Sequence, residues 1–133
     1  MKKLLVLISL FASITMSFAQ APEKATTVIV TMTDSVGLRE KITKVLTDRG
    51  YTISSGKTAT IITTAPRTLK NDARVAYFLE IKGKEIFITG KLPIAGQSAF
   101  PIANQGKKGT PILNGWEEME KIAKAFGVAI RYQ

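Results

Sequence analysis

The sequence predicts an α+β domain: an antiparallel sheet with two helices packed on one face, in the order β-α-β-β-β-α-β. Three observations carry this expectation. The β-branched runs "TTVIVTMT" (26–33) and "TATIITT" (58–64) have the composition of strands. The stretch 73–92 alternates apolar residues around a Lys82-Gly83 turn, the pattern of a hairpin. Two stretches, 34–50 and 114–127, repeat apolar residues at helical spacing.

The first helix places Leu38, Ile42, Val45 and Leu46 on one face, with Arg39, Glu40, Lys41 and Lys44 elsewhere on the cylinder. Asp34 or Ser35 is positioned to cap its first amides, and Gly50 suits the left-handed residue just past its end. From Tyr51 a strand, a turn at Gly56 and a second strand follow. Gly56-Lys57-Thr58 shares its letters with a phosphate-binding loop. Such a loop needs a glycine five residues before the Gly-Lys pair, where this chain has Tyr51, and a helix after it, where this chain has "TATIITT". A nucleotide site is therefore not expected. Ser54 and Lys57 also match S-x-x-K, but neither companion motif of the penicillin-recognising enzymes occurs.

Residues 66–72 read as a polar link, and 73–92 as the hairpin, with Phe78 and Phe87 on its outer face as a cross-strand pair or a modest patch. The segment 93–114 has no period and reads as a tether to the last helix. In that helix Asn114 and Glu117 form a capping box, and Trp116, Met119, Ile122, Ala123 and Phe126 form the apolar stripe. Glu117–Lys121 and Glu120–Lys124 have the spacing of surface ion pairs. Gly127 ends it, and Val128, Ile130 and Tyr132 alternate in a last strand. The expected core is Val28, Val30, Leu38, Ile42, Leu46, Ile61, Val75, Tyr77, Leu79, Trp116, Met119, Ile122 and Phe126.

Residues 1–20 have the order of a secretory signal peptide: Lys2 and Lys3, an apolar run, then small residues at Ser17 and Ala19. The apolar run is too short and too rich in serine and threonine to span a bilayer. The expectation is an exported chain, periplasmic or secreted, with one domain at 26–133 and no membrane span. Without a cysteine there is no lipid attachment point at the cleavage site and no disulfide to hold the domain. Loss of residues 1–20 leaves 17 basic and 10 acidic residues, a charge of +7 that favours anionic partners.

Histidine is also absent, which removes the commonest general base at neutral pH and a principal metal ligand. Thiol nucleophiles, Ser-His-Asp triads and zinc sites are excluded with it. Asn71-Asp72 is too small a cluster for calcium. No enzymatic activity, cofactor or metal is expected. Nucleic acid is not an expected partner either, because export removes the chain from DNA and the sequence lacks aromatic-basic interleaving. The candidate binding residues are Arg67, Lys70 and Arg74 around the middle link, and Lys107 and Lys108 in the long loop.

"VLTDRGYTISSGKTATIITTAPRTL" (45–69) brings a helix to Gly-Tyr, then a short strand, then a hydrophobic strand ending Ile-Thr-Thr. This stretch resembles the helix-grip domains of the β-barrel assembly machinery lipoprotein C, and exported domains of unknown function in Bacteroidetes. The resemblance implies a binding or scaffolding domain of the cell envelope, contacting an envelope protein or an anionic glycan or lipid. The lipid-bearing cysteine of those lipoproteins is missing here, and the resemblance supplies no catalytic residue. The alternative is a secreted structural domain with no dedicated ligand.

Overall fold

The computed structural model describes residues 21–54, 58–70, 73–94 and 98–133. The expected signal segment, Gly56 and Lys57, and the Asn71-Asp72 pair lie outside them. The elements run β1 (Val28–Thr31), α1 (Leu38–Asp48), β2 (Ile53–Ser54), β3 (Ile61–Thr64), β4 (Arg67–Thr68), β5 (Arg74–Lys82), β6 (Glu85–Leu92), β7 (Phe100–Pro101), α2 (Pro111–Lys124) and β8 (Ala129–Tyr132). All strand pairs are antiparallel, in the order β2-β3-β5-β6-β1-β8, with β4 beside β5 and β7 beside β6. The expected class is what the chain adopts, with six strands between the helices, β2 to β7, where the expected order has three.

One face of the sheet carries Val28, Val30, Ile62, Val75, Tyr77, Leu79, Ile86 and Ile88, all buried in one cluster with Leu38, Ile42 and Leu46 of α1 and Trp116, Met119 and Ile122 of α2. Ile61 does not belong to it. The side-chain period of two puts its neighbour Ile62 inward, opposite Leu79. Phe126 is only half-buried, packed against the edge of the cluster.

Asp34 and Ser35 do not cap α1. Gly37 occupies the cap position with a left-handed backbone, φ 66°, and Asp34 Oδ1 instead accepts from the Val36 amide at 2.9 Å. At the other end the expectation for Gly50 is met, with φ at 86°. Its amide donates to Thr47 O and the Tyr51 amide to Leu46 O, both at 2.9 Å, the paired bonds that close a helix over a left-handed residue. That closure turns Tyr51 into the core.

Beyond β2 the chain reverses, and Ile53 and Ser54 pair with Thr64 and Thr63. Thr58–Thr60 is a bend and turn, and Ile61 begins a strand, so no helix follows the Gly-Lys-Thr letters. Arg39 Nη1 donates to the carbonyls of Thr58, Ala59 and Ile61. Carbonyls gathered on a guanidinium are the reverse of an amide cradle for phosphate.

On the sheet's other face Ile29 is fully buried although it belongs to no part of the core cluster. Arg131 of β8 lies opposite Ile29, and its guanidinium reaches across β1 to Glu85 Oε2 on β6, with Nε at 3.1 Å. Phe87 flanks Ile29 on the β6 side. The aliphatic stem of Arg131 thus roofs Ile29 while its head stays polar. Phe78 and Phe87 are not cross-strand partners: Phe78 faces Thr89, and Phe87 faces Glu80 and lies under Lys82 Nζ at 4.6 Å.

The described residues 98–114 of the segment 93–114 are no loose tether. Ile102 is fully buried, its amide bonded to Gly90 O at 2.9 Å, and Asn104 Nδ2 donates to the carbonyls of Ala21 and Pro22. A notch of two glycines receives Ile102, since a methyl carbon on Gly90 or Gly115 would come within 2.6 or 2.8 Å of its Cδ1. The helix also starts earlier than the expected capping box. Thr110 is the cap residue and Pro111 the first helical one, so Asn114 lies inside α2. Proline is pre-set for that first position and lacks the amide that would go unpaired there.

Candidate functional site

Three elements meet at one end of the helix layer and leave a cleft of about 620 Å³. Asp48 and Arg49 line it from the end of α1, and Arg67, Thr68, Leu69 and Lys70 from β4 and the residues after it. Asn114, Glu117, Glu118 and Lys121 line it from one face of α2.

Proline places Arg67 there. β3 and β4 both pair with β5, but Pro66 has no amide for the ladder, and the strand breaks at Ala65-Pro66 before resuming at Arg67 opposite Val75. The Thr64 hydroxyl covers the gap, accepting the Tyr77 amide at 2.9 Å. The expected polar link therefore contains a two-residue strand, Arg67–Thr68, that delivers a guanidinium to the end of α1. Arg67 Nη1 donates to the Arg49 carbonyl at 2.6 Å, a cation at the negative end of the helix dipole. Its guanidinium carbon lies 4.8 Å from the centroid of the Tyr51 ring, within cation–π range.

Beneath Arg67 the wall is polar and fixed. Glu118 Oε1 accepts from Arg49 Nη2 at 2.9 Å and from the Tyr51 hydroxyl at 3.1 Å. The Tyr51 ring meets Tyr77 edge-on at 5.5 Å, and the Tyr77 hydroxyl donates to Gly115 O at 2.8 Å. Burial raises the pKa of both phenols, and the Glu118 carboxylate adds to the rise at Tyr51. Both hydroxyls stay protonated as donors far above neutral pH.

The glutamates of α2 are not the surface pairs their spacing suggests. Glu118 is 14% exposed and belongs to the wall. Glu120 Oε2 takes the Tyr132 hydroxyl at 2.9 Å, and neither Glu117–Lys121 nor Glu120–Lys124 closes to an ion pair among the described residues. Only Arg67 and Lys70 of the five expected binding residues line the cleft. Arg74 is exposed at the start of β5, and Lys107 and Lys108 are exposed in the loop before α2. Glu118 had a signal in the sequence: three residues after Gly115 and four before Ile122, it borders the apolar stripe of α2. Tyr51 was marked by its place after a helix-ending glycine.

Three of the cleft's seven ionisable residues are neutralised or partnered within the fold. Arg49 and Glu118 form an ion pair at 2.9 Å, and Asp48 pairs with Lys44 outside the cleft. Arg67, Lys70 and Lys121 remain as cations without an ion pair among the described residues, against the single carboxylate of Glu117. The surplus is positive, and one cation is held rigidly. Such a cleft can hold an anion. Among the described residues no cluster of three or more acidic side chains is arranged to hold a metal ion.

In comparisons with known proteins, no family model matches the chain and no curated protein matches it in sequence. No helix among the described residues is long and apolar enough to cross a membrane.

Proposed function

We propose that the chain is an exported, non-catalytic binding module of the cell envelope, which holds an anionic group of an envelope component in the α1–β4–α2 cleft. The observation that carries this reading is the state of Arg67. Its plane is fixed by the Arg49 carbonyl and the Tyr51 ring, yet its charge meets no carboxylate among the described residues. A pre-oriented guanidinium loses less freedom on binding than a mobile lysine and recognises planar oxyanions. Export rests on residues 1–20, and the envelope role on the resemblance of 45–69. The lack of histidine and cysteine weighs against catalysis.

One observation favours the second reading, a structural domain with no ligand: the same bond makes Arg67 a clasp for the end of α1. Photo-crosslinking in intact cells separates the two. A crosslinker placed at Asn114, inside the cleft, should capture an envelope component, and capture should weaken in the Lys70→Gln background. A crosslinker at Lys108, outside it, should not. Equal capture at both positions, or none at Asn114, contradicts the binding reading. Mass spectrometry of the chain recovered from the producing cells tests export, and the expected product lacks residues 1–19 or 1–20.

A further inference from the structure

We infer that the ligand of the cleft is amphoteric, a peptide-like group whose carboxylate lies against Arg67 and Lys70 while an ammonium lies against Glu117. This narrows the binding reading above and rests on it. The two walls differ in sign: the β4 side supplies only cations, Arg67 and Lys70, whereas the α2 side supplies Glu117 and Glu118 together with Lys121.

Arg67 selects the shape of the anion. With Nη1 engaged by the Arg49 carbonyl and the guanidinium carbon over the Tyr51 ring, the Nε–Nη2 edge makes no hydrogen bond among the described residues and offers a two-donor fork matched to the two oxygens of a carboxylate. Glu118 offers the complement, because Oε1 takes both Arg49 and Tyr51 while Oε2 has no partner among the described residues. A dianion such as phosphate also fits the fork, but its second charge shares the cleft with Glu117, which has no ion pair among the described residues, and like charges close together oppose binding. A simple carboxylate satisfies the β4 wall and leaves Glu117 unanswered. A ligand with both charges meets both walls, and the cleft volume is within the usual range for small-ligand sites.

Calorimetric titration of the full chain with three probes at equal ionic strength tests this: acetate, inorganic phosphate, and N-acetyl-Glu-Lys-amide, which carries one carboxylate and one ammonium. The dipeptide should bind at least about tenfold more tightly than either anion, the scale of one charge-assisted hydrogen bond. Glu117→Gln should bring the dipeptide down toward acetate while leaving acetate unchanged or slightly tighter. Lys70→Gln should weaken all three. Neither side chain makes a hydrogen bond among the described residues, so both variants should fold. Phosphate or acetate binding as tightly as the dipeptide, or no effect of Glu117→Gln on the dipeptide, overturns the amphoteric ligand and leaves anion binding standing. Heat from none of the probes overturns both.

Discussion

Replacing Gly115 by alanine puts a methyl carbon 2.8 Å from Ile102 Cδ1, 3.2 Å from its Cγ1 and 3.3 Å from Val75 Cγ1. Two effects oppose each other. Alanine in a helix interior is favoured over glycine by about 1 kcal/mol. An extra methyl in a filled core costs about 1–3 kcal/mol. The net expectation is a loss of up to about 2 kcal/mol, or roughly 4–8 °C per kcal/mol in melting temperature for a domain near this size. Gly90→Ala should cost more. There the methyl meets Ile102 Cδ1 at 2.6 Å and two Tyr77 ring atoms at 2.9 Å, and the ring is held by its bond to Gly115 O and by Tyr51.

Ile102→Val removes the offending Cδ1 at an intrinsic cost of about 0.5–1.5 kcal/mol. Combined with Gly115→Ala, it should show a favourable coupling of about 1 kcal/mol. Combined with Gly90→Ala, the rescue should be smaller, because the Tyr77 contacts remain. Urea unfolding followed by the fluorescence of Trp116, the single tryptophan, reads all five variants. If Gly115→Ala stabilises by the full helix increment, or Ile102→Val adds independently in both backgrounds, the notch has been misread.

Two further outcomes follow from the sheet. Arg131→Ala should cost about 1–2 kcal/mol by exposing Ile29, whereas Glu85→Gln, which removes only the ion pair, should cost less than about 1 kcal/mol; equal costs contradict the roof. Stability should fall in alkali: burial first, then the Glu120 carboxylate, pushes the Tyr132 phenol from 10.0 up to about 12. The folded state then holds a proton that the unfolded chain releases, so this contribution is complete below pH 10 and lost between about 10 and 12. Tyr132→Phe should flatten the fall in that window, and an unchanged slope in denaturant titrations rejects the assignment.

Local signals carried most of the fold. Alternation fixed the hairpin, helical spacing fixed both stripes, and Gly50 and Gly127 marked the helix ends with left-handed backbones. In two segments a long-range contact or a proline decided against the sequence reading. Residues 66–72 are polar, yet Pro66 divides a strand there. The segment 93–114 has no period because its one decisive residue, Ile102, is bound by a notch whose glycines come from β6 and α2. At the site, Arg67 and Lys70 were legible as cations of the middle link. Nothing local distinguished them from Arg74, Lys107 or Lys108, because the cleft arises from three elements remote in sequence. Glu118 was legible only as a carboxylate bordering an apolar stripe; its partners Arg49 and Tyr51 lie 69 and 67 residues away.

The central claim is that Arg67 presents a fixed cation to an anion within the cleft. Nuclear magnetic resonance of the labelled full chain titrated with acetate at low salt addresses it at the atom concerned. The account predicts that the Arg67 side-chain Nε–H resonance shifts saturably, together with amides of 68–70 and 114–121, and less so in Lys70→Gln. A stationary Arg67 resonance, with shifts confined to the exposed lysines at 107 and 108, would contradict it.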